Sequence, residues 1–336
     1  MRDRLNAWTV GLAGGPLEGE PIRHAAEIAR VVDDGDKLYV LPIVTRGAAD
    51  NVEAILFLRG VDAAIINTDA LEAFKAQVPD IQQRITYILN LFPSELHVFA
   101  RPDITSLADL QGKKVNFNTP GTGAAHSGPL MFERLKLDVQ KSFVPNAVAL
   151  EQMRNGRNDM AAVVFVTAKP AETFVQGTWP PGFRFLPVET SDYGLYLPST
   201  LTAADYPNLI QPGQDVATIA VPTVLASYNW PLNSERYSRV ARLTTYLFDR
   251  LPRLQEPGFH PKWRDVNVNA QVPGMIRFPA AQEWMLRQQV KALTEAAKAA
   301  EPGAMTSRNA PQSTGGTPNQ DRQFQESMER KKRQEP

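Results

Sequence analysis

Short apolar runs alternate through most of the chain with stretches whose apolar residues recur every three or four positions. That alternation predicts strand, loop and helix units wound around parallel sheets. The first unit joins AWTVGLAGG to PIRHAAEIARVV, where Ile22, Ala25, Ala26, Ala29 and Val32 fall on one helical face. The second joins KLYVLPIVTRG to AADNVEAILFLRG, with Val52, Ile55, Leu56 and Arg59 at helical spacing and Gly60 as a stop. VDAAIINTDA predicts a third, short and buried strand that ends in polar residues.

ITYILNLF and LHVFARPD predict two further strands, separated by Pro93 and Ser94. In SLADLQGKKVNF, Ser106 and Asp109 are spaced as a capping box around a one-turn helix, Gly112 ends it and KVNF begins a new strand. A second set of units follows: a helix after Gly123, a helix in ALEQMRNG ending at Gly156, the strand DMAAVVFVTA, a helix near KPAETFVQ and the strand FRFLPV. QDVATIAVPTVLAS is long and extended, and Pro222 demotes it to an edge or crossing position. Helices from about Ser234 to Leu254 and about Ala280 to Ala300 complete the ordered part. Beyond Glu301 the chain is too polar to offset its conformational entropy, so disorder is expected there; its closing ERKKR is either a basic interaction tail or a solvated charge run.

Composition narrows the classes. A chain of 336 residues, 43% hydrophobic, suits two compact domains and a tail. Lys+Arg 36 against Asp+Glu 36 gives no net basic field, which excludes nucleic acid as an expected partner. There is no cysteine, and His24, His97, His126 and His260 lie far apart without ligand spacing, so neither a metal nor a cofactor is expected. No apolar run reaches a membrane span, so direct membrane insertion is not expected either. The opening MRDRLNAWTVGLAGG is interrupted by Asp3, Asn6 and Thr9 and predicts a first strand rather than a signal peptide; an export signal would have to have been removed.

The candidate chemistry concentrates in NFNTPGTGAAHSGPL, residues 116–130. A phosphate loop needs lysine and a hydroxyl residue after its last glycine, and here Pro129 and Leu130 follow Gly128. A dinucleotide fingerprint lacks its third glycine, because His126 follows Gly121 and Gly123. A nucleophile elbow needs glycines two places either side of its serine, and Ser127 has Ala125 and Pro129. What remains is either an ordinary strand-to-helix turn or a small-anion site built from helix-start N–H groups. AGG at 13–15, TRGA at 45–48 and TPGTGA at 119–124 repeat the same strand-to-helix arrangement. Two facing sheets would aim all three into one cleft. Arg46 is placed either to grip a carboxylate or to lie on the surface. Asn67 and Thr68 can add neutral contacts, while Asp69 is expected to cap the next helix. No acid–base pair is coupled by sequence to a nucleophile, and Asp33, Asp34 and Asp36 read as a solvated turn.

Several segments together resemble the solute receptors of tripartite ATP-independent periplasmic (TRAP) transporters, of the TAXI type. The resemblance runs from about Trp8 to Trp230 and rests on SLADLQGKKVNFNTPGTGA, ALEQMRNGRNDMAAVVFVTAKPA and PGQDVATIAVPTVLAS, in the same order as in that family. It implies an α/β chain of the type II periplasmic binding protein fold, with two lobes joined by two hinge strands and the ligand cleft between them. LHVFAR and ATIAVPTVLAS fall at the hinge. Lobe I would take residues 1–97 and 222–300, lobe II residues 98–221, and residues 301–336 would form the tail.

The resemblance further implies a non-enzymatic extracytoplasmic receptor. It would capture a small organic carboxylate, such as a dicarboxylate, keto acid or acidic amino acid, and deliver it to a TRAP-type membrane permease. The binding positions carried over are Ala13, Gly14 and Gly15; Thr45, Arg46, Gly47 and Ala48; Asn67 and Thr68; Thr119, Gly121, Thr122 and Gly123; and Val166 and Thr167. Two departures stand out: the first loop carries Glu18 and Glu20 where the family is richer in glycine, and Arg46 stands where the family has glycine. The alternatives are a ligand sensor or scaffold on the same fold and, from another class, an enzyme with a titratable group in the cleft.

Overall fold

The computed structural model describes residues 6–17, 19–157, 159–189 and 194–300. Residues 1–288 form one unit and 289–336 a second, and the predicted polar tail lies outside the described residues. The first apolar run folds as β1 (Thr9–Ala13), buried from Val10 onward, because α1 (Glu20–Val32) covers it with Ile22, Ala25, Ile28, Ala29 and Val32. Ala26, expected on that face, is exposed: the stripe rotates toward His24, Glu27 and Val31 instead. β2 (Tyr39–Ile43) pairs with β1 in parallel, and α2 (Ala48–Phe57) returns the chain to β3 (Ala63–Asn67), which pairs with β1 on its other edge. α2 stops before Arg59, which is exposed. α3 (Thr68–Phe74) and the single turn α4 (Ile81–Arg84) lead into β4.

β4 (Ile85–Ala100) is one unbroken strand where the sequence predicts two. Pro93 does not end it, since its register partner on the antiparallel β10 (Val216–Tyr228) is Pro222, and the pair crosses there without either residue supplying an N–H. β10 is central rather than an edge strand: its residues 223–227 pair with β3 and its residues 216–220 with β9 (Leu197–Leu201). The sheet order is β2-β1-β3-β10-β4-β7-β5-β6. Here β5 is Lys114–Asn116, β6 Gln140–Ser142 and β7 Met160–Thr167, with β7 antiparallel to β4. α5 (Gly123–Arg134), α6 (Asn146–Arg154) and α7 (Glu172–Gln176) pack on this second half. Its FRFLPV segment keeps only a two-residue strand, β8 (Arg184–Phe185). α8 (Glu235–Leu254) starts on Ser234, whose hydroxyl accepts from Tyr237 N at 3.1 Å; β11 (Ile276–Arg277) and α9 (Pro279–Ala300) follow.

Apolar packing falls on both faces of each half. Leu12, Ile28, Val40, Leu247, Trp263 and Phe278 share one cluster, and Val52, Ile55, Ile66, Leu71 and Ile85 another. In the second half Val98, Val115, Phe117 and Phe132 pack together, and Phe99, Phe174, Phe185 and Tyr206 form an aromatic group with Phe174 and Phe185 centroids 4.8 Å apart. Beside the crossing lies a buried charge network. Glu95, fully buried, accepts from Lys262 Nζ at 2.6 Å and from the Lys169 N–H at 2.9 Å, and Lys169 Nζ in turn reaches Asp205 at 2.9 Å. Burial pushes the Glu95 carboxyl up and Lys262 pulls it back. Removing one partner strands the other charge without solvent, a loss of about 3–5 kcal/mol. Lys262→Met is therefore expected to destabilise the fold by about that amount in denaturant melts, and Glu95→Gln combined with Lys262→Met to recover most of it.

Candidate functional site

Three strand ends are tied together by one side chain. Asn51, fully buried on the same face of α2 as Ala48 and Ile55, donates from Nδ2 to Gly14 O at 2.6 Å and Ile65 O at 2.7 Å, and its Oδ1 accepts from Thr45 Oγ1 at 2.7 Å. Gly14 N donates to Ile43 O at 3.0 Å and Thr45 N to Gly15 O at 3.1 Å, so the first two glycine loops are fixed to each other. Sequence reasoning missed Asn51; its one signal was a lone amide within the apolar stripe of α2.

The second and third loops meet directly across the two halves. Gly47 (φ 134°) and Gly121 (φ 96°) are so close that a Cβ on Gly47 would lie 2.4 Å from Gly121 O, and one on Gly121 would lie 2.6 Å from Arg46 Cβ. Only glycine fits both the conformation and the contact. A Cβ on Gly123 would stand 3.3 Å from Val166 O and 3.9 Å from Asn67 Oδ1. Thr122 caps α5, accepting from Ala125 N at 3.2 Å and donating to Thr119 O at 2.8 Å. The Gly123 and Ala124 N–H groups have no hydrogen-bond partner among the described residues, as expected for a helix start.

The structure thus gathers Gly15, Gly47, Asn67, Gly121, Thr122, Gly123 and Val166 at one seam. Ala13 and Ala48 are instead core residues, and Thr167 ends β7 opposite Glu95. The Arg46 guanidinium is exposed and paired with Asp50 Oδ2 at 2.7 Å, one helical turn away, rather than turned into the seam. Asp69 does not cap α3: it lies inside the first turn, with Asn67 in the cap position. It is 1% exposed, and Tyr196 OH stands 3.4 Å from its Oδ2. Burial raises its pKa, against the opposing pull of His126, Ser127 and Tyr196. Asn67 Nδ2, Asp69 Oδ1, His126 Nε2 and Ser127 Oγ are all buried without hydrogen-bond partners among the described residues.

On the other flank, His24 and His260, distant in sequence, bring their rings to 4.6 Å, and His260 Nε2 stands 3.4 Å from Glu20 Oε2. Burial lifts the Glu20 carboxyl to about 7, with Glu172 adding to it and Arg23 opposing. Among the described residues no group of three or more His, Asp or Glu is arranged to hold a metal, and no helix is long and apolar enough to cross a membrane. A cavity of about 540 Å³ opens beside the crossing strands, lined by Thr68, Phe92, Pro93, Tyr196, Pro222 and Met275 among others; Thr68 is the one predicted site residue on its wall.

Two glycine-looped halves facing each other across a pair of crossing strands are the architecture of a type II periplasmic binding protein, a ligand-binding fold. Residues 25–279 match the model of the NMT1-like family, and the chain belongs to that family. Among solved structures it is similar to the amino acid ABC transporter substrate-binding protein AbpA from Streptococcus pneumoniae bound to L-arginine, at 14% identity and TM-score 0.42 over 79% of this chain and 95% of that one. It is also similar to the methionine binding protein MetQ, at 11% identity and TM-score 0.40 over 74% and 95%. The B. pertussis BvgS periplasmic domain aligns at 15% identity and TM-score 0.43 over 85% of this chain and 46% of that one.

Acid–base behaviour follows from the buried groups. Burial holds His97 at about 3 and His260 at about 4, so below a free imidazole's value of roughly 6.5 the unfolded chain takes up protons that the native chain refuses, and stability falls with acid. Glu20 works in the opposite direction: it keeps its proton up to about 7, so its contribution is present in acid and lost as pH rises through that value. Thermal melts are expected to show a stability maximum near pH ~6.5. Glu20→Gln is expected to remove this opposing contribution, which operates between a free carboxyl's value of roughly 4.3 and about 7, and so to steepen the loss of stability on the acid side of that maximum.

Proposed function

We propose that the chain is an extracytoplasmic solute receptor of the TAXI type, which closes its two halves on a small organic carboxylate and hands it to a TRAP-type membrane permease. The observation that carries this reading is the seam itself. Backbone N–H groups of Gly123 and Ala124, unpartnered at the positive end of α5, stand beside the buried Asn67 amide of the opposite half, where Gly47 and Gly121 let the two backbones touch. A carboxylate accepts two such donors at once, and its capture joins the halves, shifting an open–closed equilibrium toward closed. The carboxylate is held by backbone and amide and not by Arg46, whose charge Asp50 already meets.

Calorimetry on protein refolded from denaturant, to strip any bound molecule, tests the reading with a panel of amino acids, dicarboxylates and keto acids. Binding by at least one of these is expected, and heat from none of them would end the proposal. Gly121→Ala is expected to weaken that binding at least ~10-fold, since the strained φ and the 2.6 Å approach to Arg46 Cβ oppose closure by about 1–3 kcal/mol. Arg46→Ala is expected to leave affinity within error of the native protein, since its guanidinium is exposed and paired with Asp50 outside the seam.

A further inference from the structure

We infer that the ligand carries an ammonium group next to its carboxylate, and that Asp69 is the side chain that receives it. The inference rests on the receptor reading and narrows its ligand from organic acids in general to zwitterions of the amino acid kind. It comes from the charges around the seam. Three cations near the junction of the halves already have carboxylate partners: Arg46 has Asp50, Lys169 has Asp205 and Lys262 has Glu95. None of these is left for the second carboxylate of a dicarboxylate. Asp69, by contrast, is 1% exposed and forms no ion pair with a lysine or arginine among the described residues.

Burial favours the neutral acid at Asp69, and a cation brought to its free oxygen would draw off that proton and leave a charge-assisted pair. Tyr196 OH reaches Oδ2, while Oδ1 accepts no hydrogen bond from the described residues. His126 lends Asp69 a favourable field without forming an ion pair, and the Ser127 hydroxyl, fully buried, is also unbonded. A ligand hydroxyl would supply a hydrogen bond to Oδ1 but no charge, whereas an ammonium supplies both. Asn67 and Asp69 are two residues apart, on the last residue of β3 and in the first turn of α3. The acceptor for an ammonium and the donors for a carboxylate therefore lie within the span of one small molecule. The seam is polarised along the chain, positive at Gly123 and Asn67 and negative at Asp69.

The test is isothermal titration of the full refolded chain with paired probes: alanine against propionate, leucine against 4-methylpentanoate, lactate for the hydroxyl, and glutamate against glutarate. At least one amino acid is expected to bind at least ~100-fold more tightly than its deamino partner. Asp69→Asn, checked for native circular dichroism, is expected to lower that amino acid's affinity at least ~10-fold and to erase the preference. A deamino or hydroxy acid that binds as tightly as its amino counterpart overturns the inference on the native chain alone, with no variant needed. So does an Asp69→Asn protein that keeps the preference. Carboxylate binding without discrimination sinks this inference and leaves the receptor reading standing, whereas no binding by any probe sinks both.

Discussion

The antiparallel pairing of β4 with β10 is the constraint on which everything else rests. From Ile85 opposite Tyr228 to Glu95 opposite Ala220, the two strands stay together while their outer neighbours change, from β3 to β9 along β10 and toward β7 along β4. Both halves therefore share one backbone ribbon, and neither can shift its register alone without turning its apolar side chains to the wrong face. The buried Glu95–Lys262 pair belongs to this ribbon and couples it to the segment after α8. A charge so deeply placed adds little net stability, but it penalises any packing that would leave it unmatched.

Much of this architecture was legible in the sequence. The units around β1, β2 and β3 announced themselves by period and punctuation, and α8 was legible in its extent. The misses have physical causes. Pro93 looks like a strand break when read locally, because the second proline opposite it lies far along the chain. Ala26 was counted as buried because alanine carries almost no hydrophobic signal, so a helical stripe drawn through it can rotate by a residue without penalty.

The candidate site was less legible than the fold. Glycines at strand ends marked where backbones approach, but not which of them meet; only tertiary structure sets Gly47 against Gly121. Arg46 drew attention as the one cation in a glycine loop, yet Asp50 sits one helical turn on and claims it, a local contact that an exposed pair makes cheaply. Asp69 had the look of a cap, and its burial depends on Tyr196, Ser127 and His126, which arrive from elsewhere in the chain. Spacing along a sequence reports neighbours on one element and is silent about the element that comes to face it.

The meeting of Gly47 with Gly121 separates two tasks that many binding sites mix. A contact made by bare backbone senses distance and nothing else, since neither partner has a side chain with which to prefer one molecule over another. On the proposed reading, discrimination is left to the side chains set back from that contact, Asn67 and Asp69 foremost. The clasp and the selector can thus vary independently. New tastes could be acquired on this scaffold by changing what lies behind the glycines, while the clasp itself tolerates almost no change.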